Sequence, residues 1–205
     1  MTRVISYIDG FNLYFGLKSK NWRKYYWLDL VAVSQALVKP GQELTHCHYF
    51  TARVSAGGVS QSARRQALWL EALATRARLT THFGHYLPKR MECFRCGASW
   101  MSHEEKMTDV NIATQLLEDA FQDRFDTALL MSGDSDLTPP IQRIRALFPA
   151  KRIIVAFPPG RRSAQLQQAA HGFLVIGEDK LRKNLLPSPI TGNGGFLIHR
   201  PPEWY

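Results

Sequence analysis

The sequence predicts an α/β protein, a three-layer αβα sandwich around a mainly parallel sheet. Three observations carry this. Short apolar strands alternate with amphipathic helices along most of the chain. The segments between successive strands are long enough to hold a helix, which makes right-handed βαβ crossovers and puts helices on both faces of the sheet. The chain has 205 residues, 45% hydrophobic and 21% charged, the size and balance of one self-sufficient core.

The first strand is expected over 3–8, where Val4, Ile5 and Ile8 are the apolar content. Asp9-Gly10 breaks it, and a helix follows over 11–18. Asp29 is placed to cap a helix reaching about Val38, which Lys39-Pro40-Gly41 stops. A second strand over 44–52 ends near the Gly57-Gly58 loop. Ala63, Ala67, Leu70, Leu73, Ala74 and Ala77 fall at helical spacing and predict a helix over 61–77. A third strand covers 79–86. Residues 87–103 hold Pro88, Cys93, Cys96, Gly97 and Trp100, and their composition predicts an irregular insertion. Thr108 suits the N-cap of a helix over 109–121. A fourth strand over 127–131 ends in Ser132-Gly133-Asp134-Ser135-Asp136. Pro139 and Pro140 fit a first helical turn, continued to 148. A strand over 152–157, a short helix over 163–170 and a strand over 173–176 complete one domain, 1–185. Residues 186–205 read as a Pro/Gly-rich, loosely packed tail.

Composition narrows the function. Lys and Arg number 26 against 17 Asp and Glu, a net charge of +9 that points to a polyanionic partner. Three cysteines exclude a secreted disulfide scaffold and favour a reducing, cytoplasmic setting. No apolar run approaches the roughly 18 residues that span a bilayer. The opening MTRVISYIDGFN mixes charge and polarity into its apolar stretch, unlike a signal peptide.

In an open parallel sheet, ligands gather at the carboxyl ends of the strands. Asp9 ends the first strand. Asp134 and Asp136 stand just past the fourth, and Asp109 sits in the first turn of the helix after the insertion. All four are expected at one edge. Four carboxylates together repel one another unless a divalent cation neutralises them, and a hard Mg²⁺ or Mn²⁺ prefers such oxygen ligands. Any one of these aspartates alone reads as a helix cap or a turn residue. Asn12 and Ser132 are placed to hold a carboxylate or a water, and Lys106 brings a cation to the edge. A phosphatase using a nucleophilic aspartate needs a second aspartate two positions after Asp9, where Phe11 stands. A dinucleotide site is unsupported, because no Gly-x-Gly-x-x-Gly follows the first strand.

Three segments, Ile8-Asp9-Gly10-Phe11-Asn12, Glu105-Lys106-Met107-Thr108-Asp109-Val110 and Ser132-Gly133-Asp134-Ser135-Asp136-Leu137, resemble in order and spacing the signature segments of the NYN domain. The similarity is to its bacterial LabA-like branch, within the PIN-like nuclease superfamily, over about residues 1–180. The resemblance implies a PIN-like αβα fold and metal-dependent cleavage of RNA. It places Asp9, Asp109, Asp134 and Asp136 in the acidic cluster, supported by Asn12 and Ser132. The alternative is a non-catalytic RNA-binding or regulatory module. A phosphatase or nucleotide hydrolase using the same metals is a third reading.

Other features carry two readings each. Cys93-Phe94-Arg95-Cys96-Gly97 has the turn of a zinc knuckle, but a structural Zn²⁺ needs two more ligands. His82, His85, His103 and Cys47 are available, none at a diagnostic spacing. Bare reduced thiols, or a site bridging two subunits of a homodimer, stand beside zinc. Arg64-Arg65 and Arg161-Arg162 follow the second and fifth strands, where they could hold RNA phosphates or simply form a solvated basic face. Trp22, Tyr25, Tyr26 and Trp27 either stack single-stranded bases or close the core. His46 and His48 read as structural or surface residues.

Overall fold

The computed structural model describes residues 1–53 and 60–205, apart from the side chains at 88 and 102–105. The Gly57-Gly58 loop and the His103 side chain therefore lie outside the described residues.

The chain opens with strand β1 (Thr2–Asp9), followed by helices α1 (Gly10–Ser19) and α2 (Leu30–Leu37). Strand β2 (Gln42–Ala52), helix α3 (Gln61–Leu73), and strands β3 (Leu79–Glu92) and β4 (Ser99–Lys106) come next. Then follow α4 (Thr108–Phe121), β5 (Thr127–Met131), α5 (Thr138–Leu147), β6 (Arg152–Phe157), α6 (Ala164–Ala169) and β7 (Gly172–Val175). Past the expected elements come α7 (Glu178–Arg182) and a small pair, β8 (Ile190–Thr191) and β9 (Leu197–Ile198).

Among the described residues the main sheet has seven strands in the order β4-β3-β2-β1-β5-β6-β7. Six run parallel and β4 alone is antiparallel to its neighbour β3. The chain builds outward from β1 in one direction, then returns to β1's other side with β5. That reversal leaves a crevice at the carboxyl ends of β1 and β5, where open sheets of this kind take their ligands.

Two apolar layers flank the sheet, as alternation along the strands requires. Leu13, Leu17, Val33 and Leu73 pack on the face shown by Val4, Ile8 and Tyr49. Ile112, Leu116, Ile141, Ile144 and Leu166 cover the face shown by Ile5, Tyr7 and Phe50. Helices on both faces make the three-layer sandwich.

The structure differs from expectation in three places. Residues 87–103 are not irregular: β3 continues through them and pairs with β4 from His85↔Lys106 to Glu92↔Ser99. Pro88 and the cysteines disguise the strand, and Gly97, at φ +70°, supplies the left-handed turn at the tip. Helix α4 begins at Thr108 itself; Met107 occupies the cap in a left-handed conformation, φ +79°. The segment past Pro187 is not loosely packed. Ile190, Ile198 and Trp204 are buried in the same cluster as Leu13 and Leu17, so three large apolar side chains anchor it.

Candidate active site

Asp9 is the last residue of β1 and the N-cap of α1, and only 1% of it is exposed. Its Oδ1 accepts the Asn12 backbone N–H at 3.0 Å, satisfying one of the orphan donors of the helix start. Its Oδ2 accepts the Asn12 Nδ2 amide and the Ser132 Oγ hydroxyl, both at 2.7 Å. Asn12 Oδ1 in turn accepts the Gly133 N–H at 3.2 Å, tying α1 to the loop after β5. Ser132 Oγ accepts the Asp134 N–H at 3.0 Å, and Asp134 Oδ1 accepts the Asp136 N–H at 3.0 Å. Asp9, Asn12, Ser132 and Asp134 thus form one hydrogen-bonded chain across the crevice.

Two glycines allow this approach. A Cβ on Gly10 would lie 2.6 Å from the Phe50 carbonyl oxygen, and one on Gly133 would lie 2.9 Å from Arg161 Cβ. Burial pushes the Asp9 carboxyl above the usual range. The three hydrogen bonds oppose that rise, and the negative charge of Asp134 adds to it.

Asp134 opens onto a cleft of about 390 Å³ whose walls include Asn12, Ser135, Arg161, Phe11 and Phe15. Asp136 lines a neighbouring cleft with Gln142, Arg145 and Gln165, and Ser135 borders both. Asp109 is in the first turn of α4, and Lys106 is the last residue of β4. Both have interaction partners. Among the described residues no three His, Cys, Asp or Glu side chains form a group that could hold a metal ion as they stand. The structure therefore links Asp9 to Asp134 through Ser132, and does not draw Asp109 and Asp136 into a closed cage with them.

The expected phosphate contacts divide. Arg161 lines the Asp134 cleft, its guanidinium 5.6 Å from the Phe15 ring centroid. Arg162 points to Gln167 Oε1, at 2.7 Å, and lies over Phe173. Arg65 pairs with Glu203 at 2.8 Å, and Arg64 is exposed on α3.

Cys93 and Cys96 sit at the tip of the β3–β4 hairpin, where the Cys93 carbonyl accepts the Gly97 N–H at 2.8 Å. Backbone N–H groups of Arg95 and Cys96 lower the Cys93 thiol. Of the further ligands considered, Cys47 is buried on β2, and His82 is at the far end of β3, roughly 35 Å away at ~3.3 Å per residue. Neither reaches the tip.

Two features were missed from the sequence. The first is a cavity of about 340 Å³ beside the crevice, lined by rings from α1, β2, α3, β3 and the C-terminal turn. Tyr25 and Trp27 are buried in the core, and Tyr25 and Tyr26 line this cavity. Its far wall, Trp204, lies in the segment read as a loose tail. The second is a buried network. His48 Nδ1 and His82 Nε2 are 2.9 Å apart, and His48 Nε2 lies 3.2 Å from Asp119 Oδ2. Asp119 also accepts from Tyr7 Oη at 2.6 Å and from Gln115 and Arg124 at 2.9 Å. The alternation of His46 and His48 was visible, but not that α4 would set a carboxylate over it.

Among the described residues no helix is long and apolar enough to cross a membrane. The profile of the NYN domain matches residues 3–177. A Pseudomonas putida protein named 6-hydroxy-3-succinoylpyridine 3-monooxygenase is 29% identical over all of this chain and 75% of its own length. The crystal structure of a Vibrio parahaemolyticus protein of unknown function, 19% identical, superposes with a TM-score of 0.56 over 87% of this chain and 94% of that one. That likeness shows the shared fold.

Proposed function

Because the chain belongs to the NYN domain family, within the PIN-like nuclease superfamily, we propose that it is a cytoplasmic, metal-dependent endoribonuclease that hydrolyses RNA phosphodiester bonds at the β1–β5 crevice. The observation that supports this most is the buried Asp9 carboxylate, linked through the Ser132 hydroxyl to the backbone of Asp134, which lines a cleft together with Arg161. A carboxylate has about four acceptor positions, and Asp9 uses three inside the protein. Asp9 and Asp134 fit a hard cation that keeps several waters, as Mg²⁺ does when one or two carboxylates and a substrate phosphate hold it. Asp109 and Asp136 would reach it through those waters. When bound, such an ion supplies an activated water and neutralises charge on the phosphate.

The chain's own residues do the rest. Asn12 and Ser132 donate to Asp9, which favours its charged form against burial and fixes its orientation. Arg161 stands where it would donate to a phosphate oxygen, and Lys106, Arg64, Arg65 and Arg162 would add charge along the strand's path. Cys93 and Cys96 would supply two of four zinc ligands, with two more from a second copy's hairpin in a homodimer. The direct test is cleavage of labelled RNA with Mn²⁺, Mg²⁺ or chelator, for wild type and Asp9→Asn. Metal-dependent cutting lost in the variant supports the assignment. Binding without cutting by wild type would make the protein an RNA-binding regulatory module instead.

One observation favours a second reading. The aromatic cavity suits a flat ring, and the Pseudomonas relative bears the name of an enzyme acting on a hydroxylated pyridine. Under this reading the chain oxidises a small heteroaromatic. Loss of 6-hydroxy-3-succinoylpyridine under air with a reductant, followed by mass spectrometry, separates the two.

A further inference from the structure

The aromatic cavity and the acidic cleft share a wall. Phe11 and Phe15 line both, and Gly10, which joins Asp9 to Phe11, forms part of the cavity floor. The rings are arranged in pairs: Phe11 with Tyr86 at 5.8 Å, Tyr14 with Tyr26 at 5.2 Å and Tyr49 with Trp69 at 5.6 Å between centroids. Trp204 closes the cavity from the C-terminal turn, 5.7 Å from Tyr26. Thr51, Ser62, Gln66 and Arg65 add polar groups beside the tyrosine hydroxyls. At about 340 Å³ the space is near the lower end of the range for small-molecule sites, roughly 300–1,000 Å³. It has room for one ring system and none for a duplex.

We propose that this cavity takes one unpaired nucleobase of the RNA strand, whose neighbouring phosphate then crosses Phe11 and Phe15 into the Asp134–Arg161 cleft. The inference rests on the phosphodiesterase reading and gives it a substrate class: single-stranded RNA with a base free to leave the stack. Three features select a base on a strand over a free ring. The cavity borders a charged cleft, with Phe11 and Phe15 lining both. An arginine stands at each end, Arg65 in the cavity and Arg161 in the cleft. The lining is dominated by aromatic rings, the surfaces on which bases stack with little regard to sequence.

Binding is measured without metal, so that no strand is cut. A fluorescently labelled hexanucleotide of RNA is titrated with the full chain in chelator at one fixed salt concentration. A set of strands, each with one abasic position, is titrated in parallel. One abasic position is expected to weaken binding by about 5- to 150-fold, the span of one base stacked on aromatic rings, while its neighbours change little. Tyr86→Leu should weaken the intact strand by a similar factor and be indifferent to that abasic position. Tyr14→Ala, on a partly exposed ring, repeats the test where the fold is least at risk. Circular dichroism of both variants should match wild type. Uniform affinity across the abasic set, with wild-type affinity in both variants, would overturn the proposal. Saturable binding of free 6-hydroxy-3-succinoylpyridine lost in Tyr86→Leu, with RNA affinity unmoved, would overturn it too and mark a small-molecule site. Metal-dependent cleavage by wild type together with an indifferent cavity rejects the base site and leaves the phosphodiesterase standing. A sensitive cavity without cleavage in Mn²⁺ does the reverse.

Discussion

The Ser132 hydroxyl donates to Asp9 Oδ2 at 2.7 Å, joining residues 123 positions apart at the carboxyl ends of two adjacent parallel strands. The same oxygen accepts the Asp134 N–H, so one small side chain fixes the Asp9 carboxylate and the backbone that carries Asp134. Ser132→Ala is expected to destabilise the protein by about 1 kcal/mol, the worth of a typical hydrogen bond. It also removes a donor that favours the ionised Asp9. The acid limb of the pH–rate profile should therefore move to higher pH, with urea denaturation reporting stability separately.

Asp9→Asn is expected to lower the RNA cleavage rate on the order of a thousandfold, the effect of losing a charged metal ligand. Phosphate affinity comes from the basic residues and should change little. Mn²⁺ should raise the melting temperature of wild type, because a ligand of the folded state stabilises it by mass action. That rise should vanish in Asp9→Asn. Equal cleavage by both proteins would sink the metal-nuclease assignment.

The histidine network sets how stability depends on pH. Burial depresses the His46 and His82 imidazoles, and the neighbouring His48 adds to it. The unfolded chain takes up those protons first as pH falls through about 6.5, so stability is full above that value and drops below it. Burial opposes the Asp119 charge, yet donors on His48, Tyr7, Gln115 and Arg124 hold its carboxyl at about 2. Its contribution persists above about 3.9 and is lost as pH falls towards 2. Two declines in melting temperature should therefore be measured, one below pH 6.5 and one below pH 4. His82→Gln should shrink the first and leave the second, with His46 keeping its share.

Trp204 is 8% exposed and packs edge-on against Tyr26. Trp204→Ala is expected to cost about 3 kcal/mol, at the low end for deleting a buried large aromatic. The urea midpoint should fall accordingly. A change within a few tenths of a kcal/mol would mean that the C-terminal segment does not hold the core.

Zinc content tests the hairpin tip. About one zinc per two chains, with a dimer in solution, is expected if two tips share one tetrahedral site. Cys93→Ser should remove both the metal and the dimer. Monomeric, zinc-free protein purified without chelator would exclude it.

Much of this architecture was legible because period and punctuation agree. Val4, Ile5 and Ile8 mark β1, Asp9-Gly10 ends it, and Asp29 caps α2 through the N–H groups of Val31 and Ala32. Asp9, Asn12 and Ser132 were legible as neighbours because strand ends in a parallel sheet share an edge. Side-chain direction was not legible. Asp134 and Asp136 are two residues apart in a 3-10 turn and open onto different clefts. The cavity was hidden for a similar reason. Its rings come from segments far apart in sequence, and none of them has a spacing that announces a shared wall. The β3–β4 hairpin was masked by Pro88 and the Cys-x-x-Cys turn, which read locally as loop.

The central position of β1 has a consequence for synthesis. Its eight residues leave the ribosome long before one of their two neighbours in the sheet, β5, which begins at Thr127. At roughly 5–20 residues per second, the 123 positions from Asp9 to Ser132 take about 6 to 25 seconds to make. Throughout that interval Val4, Ile5, Tyr7 and Ile8 have no β5 to pair with. Nascent chains therefore present a sticky edge that folding helpers must shield. They also carry no assembled acidic crevice until Ser132 and Asp134 emerge.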